Sequence, residues 1–243
     1  MSEPTFSRPR HATVVRILGA LNAPFLERAR CYFGGGTRIV LALDEYRESA
    51  DIDFLCSSRS GYRDLRAAIG SASLGTIASG NLRLAREVIA DRYGIRTFIQ
   101  AGEDKIKFEI VHEGRIDISG GVQAGLGVPC LDTDSCFAEK FLANSDRWND
   151  GSFLSRDVVD LAFMIEGWGK ASFLRGLAVA RTAYGESTTA AARSAAKKLL
   201  GDKDYFKRCV HGLRLTHTGT LTAGLKKIAA MRRITVQTEG HSE

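Results

Sequence analysis

Hydrophobic positions change their spacing twice along the chain, and those changes predict its elements. Val14, Val15, Ile17 and Leu18, then Phe25, Leu26 and Ala29, recur at helical intervals. They predict two short helices split near Asn22 and Pro24, both residue types that start helices. Gly34-Gly35-Gly36 is a sharp break, and Thr37 to Asp44 (TRIVLALD) then predicts another helix. Asp51-Ile52-Asp53-Phe54-Leu55 alternates polar and apolar residues, the period of a half-buried strand. After a predicted helix over residues 62–69 come three strand-like runs, REVIADRY, IRTFIQ and KIKFEIVHE. Gly94 and the 101–104 turn separate them, which predicts an antiparallel meander. From Thr133 onward the pattern is helical. A boundary near Val128–Leu131 thus divides an α/β front, residues 1–130, from a helical back, residues 131–243, and the fold class is α+β.

Composition narrows the function classes. With 44% hydrophobic and 26% charged residues, the chain is a globular protein and not a disordered or fibrous one. Its five cysteines are odd in number and form no C-x-x-C pair, which argues against a disulfide framework or a structural zinc site and for a reducing compartment. No apolar run approaches the roughly 20 residues needed to span a bilayer, and the first residues lack the apolar core of a signal peptide. A cytoplasmic location with no membrane partner is expected. The net charge of +6 is unevenly placed: residues 1–138 carry 17 basic and 17 acidic side chains, so the whole excess lies behind them. Between Arg175 and Arg233 there are 13 bases against three acids, with Tyr184, Tyr205 and Phe206 among them and Phe173 just before. Charge of that density releases counterions from nucleic acid and aromatic rings stack on unpaired bases, so an RNA-facing surface is expected there. A solvated helical surface is the alternative.

The chemistry concentrates between Phe33 and Leu55. Asp51 and Asp53 fall on one face of the predicted strand, their Cα atoms about 6.6 Å apart. Two carboxylates at that spacing suit magnesium, a hard cation that takes oxygen ligands. The preceding glycines let backbone N–H groups approach a phosphate with no Cβ in the way. Each signal alone is common; the pair, with a helix between, points to a nucleoside triphosphate and its metal.

Gly35-Gly36-Thr37 followed by Arg47-x-Ser49-x-Asp51-Ile52-Asp53-Phe54 resembles the first motif of the AbiEii/AbiGii toxin family. Lys107-Phe108-Glu109-Ile110 resembles its second motif, Lys140-Phe141-Leu142-Ala143 with Arg147 its third, and Arg156-Asp157-x-x-Asp160-Leu161 its fourth. The motifs span Gly35 to Leu161. The tract Asp44-Glu45-Tyr46 departs from relatives that show a glycine and a histidine there, and the tail beyond Trp168 matches none of the motifs.

That resemblance implies a DNA-polymerase-β-like nucleotidyltransferase fold, with a small mixed β-sheet flanked by helices and a helical C-terminal domain. It implies transfer of a nucleoside monophosphate from an NTP to an acceptor hydroxyl, the 3′ end of tRNA, by a toxin with a cognate antitoxin. Asp51 and Asp53 would hold magnesium, with room for a second metal; Gly35, Gly36 and Thr37 would cradle the phosphates. Glu109 would be the third carboxylate, as base or metal ligand, with Asp117 its rival. Lys140 would clamp phosphate and Arg47 would assist, unless it pairs with Glu48 or Asp51. Asp157 would position Lys140 or the nucleotide, and Asp160 would follow it. Without the resemblance, Glu109 reads as part of a solvated strand face, Lys140 as an exposed helix lysine, and the histidines as surface or loop residues. A nucleotidyltransferase acting on a small molecule such as an aminoglycoside, or an inactive nucleic-acid-binding module, would carry many of the same residues.

Overall fold

The computed structural model describes residues 6–123 and 125–231. Two short helices open the chain. α1 (Pro9–Gly19) starts on a proline, whose missing N–H costs nothing at a helix start. α2 (Ala23–Arg28) is capped by Asn22, which accepts from the Phe25 N–H at 3.2 Å. β1 (Cys31–Phe33) leads into α3 (Gly35–Ala42), which begins two residues earlier than the apolar pattern suggested. β2 (Ile52–Cys56) follows, with Asp51 immediately before it, and then α4 (Arg59–Ala67).

The three strand-like runs form β3 (Ile89–Ala90), β4 (Gly94–Ala101) and β5 (Asp104–His112) in the expected antiparallel order. β6 (Gly120–Val122) and β7 (Pro129–Leu131) complete a seven-stranded mixed sheet of order β3-β4-β5-β2-β1-β7-β6. The sheet is larger than the sequence pattern showed, because β1, β6 and β7 are only three residues long and carry no visible alternation. The decisive pairing is parallel: β2 lies beside β5 with Asp53 opposite Glu109.

Alternation on β2 sorts its side chains. Ile52, Phe54 and Cys56 are fully buried on one face, in a core closed by α1, α2 and α4. Asp53 and Leu55 point to the other face. That face is covered by α5 (Thr133–Arg147), α6 (Arg156–Gly167), α7 (Lys170–Tyr184), α8 (Ser187–Gly201), α9 (Lys203–Gly212) and α10 (Thr218–Ala229). Their core includes Tyr32, Ile39, Val40, Tyr46, Leu55 and Leu131 from the front of the chain, so sheet and helices share one apolar interior.

Backbone-close packing holds the helices. A Cβ built on Gly224 of α10 would lie 2.2 Å from the Ala162 carbonyl oxygen of α6. Alanine favours a helix over glycine by about 1 kcal/mol, yet a rigid backbone atom occupies the space. Gly224→Ala is therefore expected to destabilise the protein by about 1–3 kcal/mol, the usual cost of overpacking, read as a lower urea midpoint.

Candidate active site

A cleft of about 270 Å³ lies between the sheet face bearing Asp53 and helices α5 and α6. Gly35, Gly36, Arg47, Asp51, Asp53, Glu109 and Lys140 all line it. Parallel pairing explains the central carboxylates: Asp53 and Glu109 are directly opposite on adjacent strands, which run about 4.8 Å apart. Burial pushes the Asp53 carboxyl up, and the negative charges of Asp51 and Glu109 push it further, while Lys107 opposes them. Lys107 sits between them, 3.9 Å from Asp53 Oδ1 and hydrogen-bonded to Glu109. Arg96 Nε donates to the other Glu109 oxygen at 2.9 Å. The cleft floor is thus a patch of three carboxylates whose charge is partly offset by Lys107 and Arg96.

The opposite wall is organised by two buried aspartates on α6. Arg47 grips Asp160 with both ends of its fork, Nε to Oδ1 at 2.7 Å and Nη2 to Oδ2 at 2.8 Å. Tyr46 donates to Oδ1 at 2.6 Å, and Lys140 Nζ lies 2.7 Å from Oδ2. Burial alone would raise the Asp160 carboxyl; Arg47 and Lys140 instead hold it well below the usual carboxylate range. Lys140 also donates to Asp157 at 3.1 Å, and Arg147 donates to the same carboxylate at 2.6 and 2.9 Å. An ammonium has three N–H donors; these two partners leave one for the cleft.

The glycines have a steric role that spacing could not reveal. A Cβ on Gly35, whose φ of +67° already favours glycine, would stand 2.5 Å from Asp53 Oδ2. One on Gly36 would stand 2.2 Å from Arg47 Nη2. They make room for the carboxylate and the guanidinium beside the first turn of α3, whose N–H groups have no partner within the helix.

Some expected site residues stand elsewhere. Thr37 is fully buried and bonds Ser49 at 2.9 Å, so its hydroxyl braces the loop before β2 and does not line the cleft. Asp160 is likewise fully buried, its oxygens taken by Arg47, Tyr46 and Lys140; it acts through them. Arg47 spends its donors on Asp160 and the Glu48 carbonyl, not on Glu48 or Asp51 carboxylates. Lys140 is 6% exposed, not a surface lysine. Asp117 is exposed and outside the cleft lining. His11 is fully buried, accepting the Ser49 N–H and contacting Glu45, so it is no surface histidine; His241 lies outside the described residues. Of the basic tail, Arg232 and Arg233 also lie outside them. Phe173 and Tyr205 are 2% and 4% exposed, core residues at helical spacing that are closed to a base.

Lys107, Ser49, Glu113, Arg115, Glu139 and Arg156 also line the cleft; none was expected to act there, although Lys107, Ser49 and Arg156 stand in the motifs. Lys107 was detectable as the residue two before Glu109 on the same strand face. Glu139 was not, since only folding brings it beside Glu113 and Arg115.

Among the described residues no three His, Cys, Asp or Glu side chains form a ready metal cage. Asp51 and Asp53 offer a two-carboxylate oxygen set instead, Asp51 exposed and Asp53 half-buried at the cleft. That set fits magnesium, which keeps several waters and is held by one or two carboxylates plus substrate phosphates.

A family model described as "Nucleotidyl transferase AbiEii toxin, Type IV TA system" matches residues 16–219. Two solved structures from Helicobacter pylori share the fold. One, a nucleotidyltransferase candidate, superposes with a TM-score of 0.50 at 16% identity, over 90% of this chain and 93% of that one. The other, JHP933, gives 0.51 at 15% identity over 93% and 94%. No curated protein matches the chain.

Two outcomes follow from the site. Asp160→Ala leaves Arg47 buried without its partner, and urea titration should show a loss of about 3–5 kcal/mol. Glu139 is pushed up to about 8 by burial and by the negative charge of Glu113. Between its ordinary value of 4.5 and that point the native state binds a proton the unfolded chain lacks. Stability contributed by this group therefore falls as pH rises through the window, and Glu139→Gln should flatten the thermal midpoint between pH 5 and 8.

Proposed function

The chain belongs to the AbiEii nucleotidyltransferase toxin family, and from that premise we propose that it transfers a nucleoside monophosphate from an NTP to a hydroxyl of RNA, with tRNA as the acceptor. The family carries with it an NTP substrate and a cognate antitoxin. The observation that supports the reaction is the pairing of Asp53 with Glu109 across parallel strands, facing Lys140 on the opposite wall of one cleft.

The residues divide the work. The N-terminus of α3 and the free N–H of Lys140 bind the triphosphate, and Arg156 extends that charge along the wall. Asp157 and Asp160 fix Lys140 in place, so its charge is positioned before substrate arrives. Asp51 and Asp53 are the ligands for magnesium, which when bound neutralises the phosphates. The acceptor oxygen forms a bond to the α-phosphorus, the α–β phosphoanhydride breaks, and pyrophosphate leaves. Glu109 is the nearest carboxylate to take the hydroxyl proton. On the helical half, Lys197, Lys203 and Lys226 are exposed and available to a polyanion. Other bases there are engaged within the fold: Arg181 with Glu186 and Lys227 with Glu166. Among the described residues no helix is long and apolar enough to cross a membrane.

The test uses purified protein, each labelled NTP in turn, magnesium and bulk cellular RNA. A labelled band of tRNA size is expected with at least one NTP. Asp53→Asn and chelation of magnesium should each lower the signal at least about 100-fold, the lower bound typical for losing a catalytic group. Circular dichroism of the variant checks its fold. Label on an added aminoglycoside but never on RNA would overturn the RNA acceptor. No label on any acceptor would overturn transfer itself.

A further inference from the structure

A second cavity of about 660 Å³ opens on the reverse face of the sheet, away from the carboxylates. Arg59, Arg63, Arg66 and Arg92 line it, with Tyr62 and His112 among its other walls. Three of these arginines recur at i, i+4 and i+7 on α4, so one helix face presents guanidinium groups over about 10 Å. That arrangement opposes folding. Like charges at i, i+4 repel, and Arg59 stands in the first turn of a helix, at the positive end of its dipole, with no acidic residue there to offset it.

Carboxylates do little to relieve it. Arg63 approaches Asp64 only at 3.9 Å, with both side chains largely exposed. Asp91, the acid beside Arg92, is turned to Arg96 and to the N–H groups of Tyr93 and Gly94. Among the described residues, Arg59, Arg66 and Arg92 have no carboxylate within 4 Å. A groove of uncompensated guanidinium groups is complementary to closely spaced phosphates, which each fork binds in bidentate fashion.

Two further features select nucleic acid over an acidic protein. Tyr93 is 58% exposed at the rim, with the Arg92 guanidinium 4.6 Å from its ring centre, a surface on which an unpaired base stacks. The groove and the active-site cleft open on opposite faces of the same strand end. Val111 and Glu113 line the cleft, while His112 between them lines the groove and donates its N–H to the Tyr93 carbonyl at 2.9 Å. Tyr93 is thereby bonded to the strand end whose two faces carry the two cavities.

We propose that this arginine groove binds the phosphate backbone of the acceptor RNA while its unpaired end rounds Tyr93 into the cleft. The inference rests on the reading of RNA as acceptor and adds where the RNA body lies: on the back of the sheet, in the half of the chain with no net charge.

The experiment measures binding of bulk tRNA by fluorescence anisotropy from 50 to 200 mM salt, with NTP binding in parallel. Arg59→Gln, Arg63→Gln and Arg66→Gln combined should weaken tRNA binding at least 10-fold. The slope of log affinity against log salt should become shallower by about 2 to 3, one phosphate contact per arginine. NTP binding should not change, and the matching Lys triple variant should restore most of the loss. Tyr93→Ala should weaken binding of an RNA hairpin with a single-stranded 3′ end more than that of its blunt counterpart. Unchanged tRNA affinity in the Gln variant, beside a wild type that binds and labels tRNA, overturns the groove and leaves the acceptor reading intact. Equal effects of Tyr93→Ala on both hairpins overturn the path around the turn. Loss of binding to polyglutamate with tRNA binding unchanged reassigns the groove to an acidic protein and overturns the proposal. A wild type that neither binds nor labels any RNA overturns the acceptor reading itself, and the groove with it.

Discussion

The buried carboxylate of Asp160 is the constraint on which the rest of the structure depends. It is fully buried on α6 and accepts from Arg47 and Tyr46, which come from the loop before β2, while Lys140 of α5 contacts its second oxygen. Three segments far apart in sequence therefore meet on one charge. Desolvating such a cluster is expensive, and it is tolerated because the carboxylate oxygens are well supplied with donors. Lys140 is thereby held rigid at the cleft and Arg47 is held against Gly36. Tyr46, stacked on Phe163 at 3.8 Å between ring centres, couples the polar cluster to the apolar core.

The same cluster explains why the first motif tolerates so little bulk. Gly36 has no side chain because Arg47 passes where a Cβ would be, and Gly35 has none because Asp53 does. Arg47 in turn is anchored through its neighbours: Ser49 bonds Thr37, and the Ser49 N–H donates to buried His11. His11 contacts Glu45, whose carboxyl is lowered to about 2; burial alone would raise it, but hydrogen bonds from Ser7, Arg8 and His11 outweigh that. Thr37 and Asp160, expected to contact the nucleotide, instead spend their polar atoms inside the fold, on Ser49, Arg47, Tyr46 and Lys140. The distinction is physical, since a fully buried hydroxyl or carboxylate with its hydrogen bonds satisfied has nothing left to offer a ligand.

Charge is arranged differently from what its linear distribution suggested. The helical half holds the whole net excess, yet several of its bases are consumed by internal pairs and its best-placed aromatic residues are core. The α/β half sums to zero, but Asp51, Asp53, Glu109 and Glu113 line the cleft while arginines of α4 line the groove on the other face. Net charge is additive along a chain; the potential at a surface depends on which side of a sheet each group occupies.

Much of this protein was written locally. Alternation placed Asp51 and Asp53 on one face of a strand, the 3.6 periodicity placed the helices, and turn residues divided the meander, because each depends only on neighbours within one element. The first-motif glycines and the order of the acidic and basic residues were likewise enough to point to the family. What local pattern could not carry was every relation between elements. Three-residue strands are too short to show a period, so the width of the sheet was invisible. The partner of Arg47 lies 113 residues away, and the pairing of Glu139 with Glu113, like the groove that His112 shares with α4, exists only once strands and helices are packed. Long-range contacts are selected by shape and desolvation of the whole core, so the identities of the site residues belonged to the sequence and their roles to the tertiary structure.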